Sequence, residues 1–112
     1  MGGITTHVLD TARGRPAAGV SVVLEQRTAP DLWQERGRGT TDADGRAREL
    51  LRAPLEAACY RLTFDTAAYF AAQGVETFYP WVIIVFEVRN SGQHHHVPLL
   101  LSPFGYSTYR GS

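Results

Sequence analysis

Apolar residues recur at every second position in short runs, and glycine, proline, aspartate or asparagine closes each run. A period of two marks strands that bury one face and show the other to water. Ile4–Asp10 alternates in this way, with Thr5, His7 and Leu9 on one face and Thr6 and Val8 on the other. Arg13–Gly19 is turn material. Val20–Glu25 reads as a second strand. Leu32–Thr41 reads as a third, whose polar residues and two glycines suit a sheet edge. Asp44-Gly45 supplies the positive φ of a tight turn, with Arg46 at its exit. Cys59–Phe64 alternates again, with Cys59 read as a core residue. Asp65 is placed to N-cap a short helix over Thr66–Gln73, closed by Gly74. Trp81–Val88 is the strongest strand. Asn90–Gln93 is expected to form a hairpin connection to a returning strand, His94–Leu101, and Tyr106–Arg110 is the last strand. In the returning strand Val97, Leu99 and Leu101 suit the core, while His94, His96, Pro98 and Leu100 point the other way. The expectation is an all-β, two-sheet sandwich of about eight strands with one short helix. A length of 112 residues fits a single domain over 1–112.

Composition removes several function classes. The 11 basic residues, all arginine, balance 11 acidic ones, so the basic excess of a nucleic-acid binder is missing. Without lysine there is no Schiff base and no phosphate-loop lysine. No apolar run approaches the roughly 18 residues of a membrane-spanning helix. The lone Cys59 cannot form an intrachain disulfide or a cysteine zinc site. Met1-Gly-Gly-Ile4 lacks the basic and apolar segments of a signal peptide, so a soluble cytoplasmic protein is expected.

Chemistry then rests on histidine, arginine, hydroxyls and water. The chain has four histidines: His7, His94, His95 and His96. Imidazole moves protons near neutral pH because its ordinary pKa is about 6.5. His94 and His96 share a strand face and so could share a metal, but no third ligand stands at a suitable spacing and a bare His-x-His pair is a weak signal; the plain alternative is a polar strand start. Arg46 is either a solvated surface residue or a planar cation that grips carbonyls or an anion at two points. No Gly-x-Ser-x-Gly elbow and no paired carboxylates are present. The tail, Ser102–Ser112, stays strand-like and aromatic, either as an ordinary last strand or as part of a site.

Three stretches together resemble the 5-hydroxyisourate hydrolases, transthyretin-related enzymes of urate breakdown. They are Thr6-His-Val-Leu-Asp-Thr-Ala-Arg-Gly-Arg-Pro-Ala17, Thr41-Asp-Ala-Asp-Gly-Arg46 and His96-Val-Pro-Leu-Leu-Leu-Ser-Pro-Phe-Gly-Tyr-Ser-Thr-Tyr-Arg-Gly-Ser112. The resemblance covers nearly the whole chain, and the closing Tyr-Arg-Gly-Ser separates the hydrolases from the hormone carrier. It implies two four-stranded sheets, one helix and a homotetramer built as a dimer of dimers, with sites opening into a central channel. It implies hydrolysis of 5-hydroxyisourate to 2-oxo-4-hydroxy-4-carboxy-5-ureidoimidazoline without cofactor or metal. The matching catalytic positions are His7, Arg46, His96 and Ser112, with His7, Arg46 and Tyr109 holding substrate. His7 and His96 would carry the proton traffic, Arg46 would stabilise the oxyanion, and Ser112, beside the terminal carboxylate, would order the water or a histidine. The chain departs from the pattern at His94-His95-His96, where relatives often have an aromatic between two histidines. His94 shares the face of His96 and is placed to assist it, and His95 is expected to point to the core side or the sheet edge. The alternative is a transthyretin-like carrier of a small ligand without catalysis.

Overall fold

A computed structural model describes residues 2–112; Met1, the first residue of the opening segment, lies outside them. Nine strands and one helix occur among the described residues: β1 (Ile4–Asp10), β2 (Arg15–Pro16), β3 (Ser21–Ala29), β4 (Leu32–Thr40), β5 (Arg46–Ala47), β6 (Ala58–Phe64), α1 (Thr66–Ala71), β7 (Val82–Val88), β8 (His95–Ser102) and β9 (Gly105–Thr108). They form two layers. One sheet runs β2-β1-β8-β9, with β5 paired beside β1, and the other runs β4-β3-β6-β7. The layers are therefore five- and four-stranded rather than four and four. The additional pieces β2 and β5 are two residues each, too short to show any alternation, and lie in segments that read as turns.

The period of two is realised on both inner faces. Ile4 and Val8 of β1 and Val97, Leu99 and Leu101 of β8 meet Val22 and Leu24 of β3, Leu62 and Phe64 of β6, and Val82, Ile84 and Val88 of β7, all buried in one cluster. Removing such a side chain from water contributes about 1.5–3 kcal/mol. Two of the buried polar groups in the layer, Asp10 and Thr6, are satisfied within it. The Asp10 carboxylate accepts from Tyr69 Oη at 2.7 Å and from the backbone N–H groups of Ala12 and Arg13 at 3.1 and 3.0 Å. Thr6 Oγ1 donates to the Val97 carbonyl at 2.6 Å, stapling β1 to β8.

Three expectations need correction. Asn90–Gln93 does make a local turn, with Gly92 N–H donating to Asn90 Oδ1 at 2.9 Å and Gln93 N–H to the Asn90 carbonyl at 3.1 Å. It is not a hairpin: β7 pairs with β6 in one sheet, whereas β8 pairs with β1, in parallel, in the other. Both flanking strands bury alternate residues, and that pattern is the same whether they lie side by side or face to face. Cys59 is not in the core; it is half-buried on the outer face of β6 with Arg61 and Thr63, because Tyr60, Leu62 and Phe64 take the inner one. The helix stops at Ala71. Asp65 caps it as expected, its carboxylate accepting from Ala68 N–H. At the other end Gln73 and Gly74 bond three residues back, a tightened turn that closes on Gly74 at φ +68°.

The described residues contain no helix long and apolar enough to cross a membrane. The turn before β5 is set by Gly45, at φ +76°, whose carbonyl accepts from Val8 N–H at 2.7 Å. A Cβ there would stand 2.4 Å from the Val8 carbonyl oxygen. Gly45→Ala therefore meets both backbone strain and a collision with main chain, together about 1–3 kcal/mol. Thermal unfolding followed by circular dichroism should show Tm lowered by at least about 4 °C.

Candidate functional site

The site grows from strand register. In the parallel pair, Thr5 stands opposite His96 and His7 opposite Pro98. On the other side of β1, Arg46 of β5 stands opposite His7. Odd positions of β1 and even positions of β8 thus share the outer face of the sheet, and the β4–β5 turn delivers an arginine beside them. Asp42 organises that turn: its Oδ1 accepts from the N–H groups of Asp44 and Arg46 at 2.9 and 3.0 Å, and its Oδ2 accepts from Arg48 Nη1 at 3.2 Å. The Arg46 N–H is the chief reason the Asp42 carboxyl is held below its ordinary pKa, with Asp44 N–H and the two arginine charges adding to it.

One hydroxyl joins two imidazoles. Thr5 Oγ1 lies 2.8 Å from His94 Nε2 and 2.8 Å from His96 Nδ1. His7 Nε2 donates to the Asp44 carbonyl at 2.9 Å, which leaves Nδ1 unprotonated in the neutral ring. The tail crosses the site: Gly111 N–H donates to the His96 carbonyl at 2.8 Å. Glycine is needed there, since a Cβ would stand 2.6 Å from His96 Cδ2. A cleft of about 330 Å³ results, walled by Thr5, Arg46, Arg48, His94, His96 and Ser112. That is within the range of small-molecule sites. A larger concavity of about 870 Å³ lies next to it, walled by residues such as Ile4, Leu51 and Leu55. It contains no histidine, and its size alone does not recommend it.

The structure thus brings His96, Arg46 and Ser112 around one cleft. His7 sits one register position away, beside Arg46, without walling the cleft. Tyr109 is exposed and does not wall this cleft; it lines a second opening, between the edges of the two sheets, with Phe86, Arg110 and also His96, which borders both. Three residues of the cleft, Thr5, Thr6 and Arg48, were not singled out from the sequence. Thr5 had a signal, its place on the His7 face; Arg48 had none, lying beyond the alternating runs. His95 points to the core side, buried, with no partner for Nδ1. Burial, then the Arg110 charge, lowers its pKa, against the raising effect of the Gln93 backbone.

Burial is also the first cause that lowers the pKa of His96, followed by the positive charge of Arg46 and the imidazoles of His7 and His94; the Thr5 backbone opposes them. A lowered histidine pKa keeps the ring neutral, and so a proton acceptor, further into acid. Among the described residues no three His, Cys, Asp or Glu side chains come together in a way that would hold a metal ion.

A family model described as the HIUase/Transthyretin family matches residues 4–111. The chain belongs to that family. The 5-hydroxyisourate hydrolase of Caulobacter vibrioides is 49% identical over 117 aligned positions, covering 100% of each chain. The solved structure of Klebsiella pneumoniae 5-hydroxyisourate hydrolase superposes with a TM-score of 0.85 at 39% identity, covering 97% of this chain and 98% of that one. Sea bream transthyretin, solved in complex with thyroxine, superposes with a TM-score of 0.90 at 34% identity, covering 96% and 93%. The HIUase/transthyretin frame therefore accommodates both an enzyme and a carrier, and the side chains on the outer face of β1, β5 and β8 must separate them.

Two measurements test this geometry. In Arg46→Gln the loss of a fixed positive charge should move the His96 titration to higher pH, read from its ring Cε1–H resonance by NMR. Gly111→Ala should push the tail off the His96 ring. A misplacement of about 1 Å costs up to roughly 100-fold in rate, so turnover should fall while Tm stays nearly constant.

Proposed function

We propose that this chain is a cofactor-independent, single-domain 5-hydroxyisourate hydrolase of urate breakdown. The observation that carries the reading is the convergence of His96, Arg46 and the tail on one cleft. The hydrolase names of the near-full-length relatives support it. The substrate is a flat, carbonyl-rich bicycle. Water adds to an acyl carbon of its six-membered ring, the ring C–N bond breaks, and the nitrogen takes up a proton to give 2-oxo-4-hydroxy-4-carboxy-5-ureidoimidazoline. Such a reaction needs a proton acceptor for the water, positive charge for the oxyanion and a proton donor for the leaving nitrogen. His7 and His96 share the two proton roles. Arg46, permanently charged, holds substrate carbonyls and the developing oxyanion. Ser112 orders water against His96, and Tyr109 positions the ring.

The reading includes assembly. β7 and β9 are the outer strands of the two sheets, so their free backbone edges lie on one side of the sandwich. Ile83 and Val85 of β7 and Tyr106 of β9 are exposed there. A second copy pairing along these edges would extend both sheets, and two such dimers would enclose the His7–His96 face as a channel, giving a homotetramer. We place the enzyme in the cytoplasm, where the free thiol of Cys59 stays reduced. The carrier reading has the sea bream likeness in its favour, and turnover decides between the two.

5-Hydroxyisourate made in situ by urate oxidase decays spontaneously, so the datum is its absorbance decay above background. The chain should accelerate that decay many-fold. His7→Ala and His96→Ala should each lower kcat at least about 100-fold, the lower bound for a positioned acid–base group. Near-normal turnover in either would remove that histidine from the mechanism, and tight binding of an aromatic ligand with no hydrolysis would favour the carrier. Sedimentation equilibrium should return a tetramer of the 12.4 kDa chain; a monomer would overturn the proposed assembly.

A further inference from the structure

We propose that Thr5 and His94 form a proton relay that connects the Nδ1 side of His96 to solvent, so that His96 acts first as base and then as acid. The inference rests on the hydrolase reading and goes beyond it by giving roles to two residues outside the His7–Arg46–His96–Ser112 set.

A threonine hydroxyl has one proton to donate and lone pairs to accept. Both imidazole contacts of Thr5 Oγ1 are 2.8 Å long, good hydrogen-bond distances. The hydroxyl can donate to only one of the two rings, so the other ring must donate to it. Two arrangements satisfy this. In the first, His96 Nδ1–H donates to Thr5 and Thr5 O–H donates to His94 Nε2, which leaves His96 Nε2 with a lone pair. In the second, His94 Nε2–H donates to Thr5 and Thr5 O–H donates to His96 Nδ1, which leaves Nε2–H on His96. The first is a base on the substrate side and the second is an acid. A shift of one proton along each hydrogen bond, with the proton on Nε2, interconverts them.

The chemistry uses that interconversion. Water gives its proton to His96 Nε2 as its oxygen bonds to the acyl carbon. The Nδ1 proton passes to Thr5 Oγ1 while the Thr5 proton passes to His94 Nε2, and His94 releases its Nδ1 proton to solvent. His94 is exposed, whereas His96 is half-buried under Gly111, so His94 is the member placed to exchange with water. His96 Nε2–H then protonates the nitrogen as the C–N bond breaks. The relay returns to its first arrangement by the reverse shift, and His94 Nδ1 takes a proton back from solvent. The relay's export and return cancel over a turnover, and the one net proton released comes from the ring-opened carboxylic acid, which ionises at neutral pH.

Charge favours export. Arg46 walls the cleft and His7 lies beside it; of the nearby anions, Asp42 is paired with Arg48, and the carboxylate beside Ser112 is the other. An imidazolium held at His96 would be repelled chiefly by Arg46, and moving the charge to the exposed ring of His94 relieves that repulsion. His94, with no other assigned task, supplies the outlet.

The test uses Thr5→Val, which keeps shape and loses the hydroxyl, Thr5→Ser, which keeps the hydroxyl, and His94→Gln at an exposed position where folding is insensitive. Thr5→Val should lower kcat by about 10- to 100-fold, up to the lower bound for a positioned acid–base group, with KM little changed, and Thr5→Ser should restore it. His94→Gln should lose activity in weak buffer and regain it as imidazole is added. Nitrogen-15 NMR of the histidine rings, read without substrate, should show His94 and His96 titrating as a coupled pair in the wild type and independently in Thr5→Val. Wild-type kcat in Thr5→Val and His94→Gln, or unchanged coupling in Thr5→Val, would overturn the relay. If Thr5→Val does not fold, the imidazole response of His94→Gln decides. A wild-type chain that leaves substrate decay unaltered would defeat the hydrolase reading instead, and the NMR result would still report on the relay.

Discussion

The candidate site depends on the parallel pairing of β1 with β8. Its register places Thr5 against His96 and His7 against Pro98. A slip of one residue would turn every side chain to the opposite face, burying the histidines and exposing Val8, Val97 and Leu99. The pairing is held by inner-face packing and by the Thr6–Val97 hydrogen bond, on the far side of the sheet from the chemistry. Core and site are thus two faces of one strand pair. The core determines which residues remain for the site.

The outer face is unusual for an exposed sheet surface in its charge. Two arginines and two histidines wall a cleft of modest size, and a third imidazole lies at its margin. Repulsion among these groups is tolerable because arginine alone is permanently charged, whereas an imidazole can shed its proton. Burial and Arg46 act on His96 in the same direction, so the polarity that would attract an electron-rich carbonyl compound also keeps the neighbouring base unprotonated. A guanidinium able to hold an electron-rich carbonyl thus adds to burial in keeping the neighbouring imidazole unprotonated.

Much of this was legible in the sequence. Alternation gave the long strands to within a few residues, the face assignments of β1 and β8, and β4 as an edge. The resemblance named His7, Arg46 and His96, which the register sets on one face, and Ser112, which the tail brings to the cleft, but also Tyr109, which lies outside it. What escaped had physical reasons. β2 and β5 are too short for periodicity to exist, although β5 is what aims Arg46. The crossing at Asn90–Gln93 has the residues of a hairpin, and only the partner strands reveal that it changes sheets. Cys59 was misplaced because a small apolar residue fits either face of a strand, and Tyr60, Leu62 and Phe64 take the inner face of β6. Thr5 was visible as a position but not as a junction, because its importance lies in two distances. Tyr109 shows that membership of a tail does not place a side chain in the cleft the tail crosses.

The Thr5 hydroxyl reaches across 89 and 91 positions of sequence to its two imidazoles. Contacts that distant close late, because a long loop must be ordered before they contribute anything. The antiparallel neighbours β3–β4 and β6–β7 can form from local chain, whereas the strand pair bearing the chemistry has to await nearly the whole sandwich. A chain caught part-way would hold much of its secondary structure and none of its site. Recovery of turnover is consequently a stringent clock for completed folding, slower than the return of sheet signal and blind to every earlier stage.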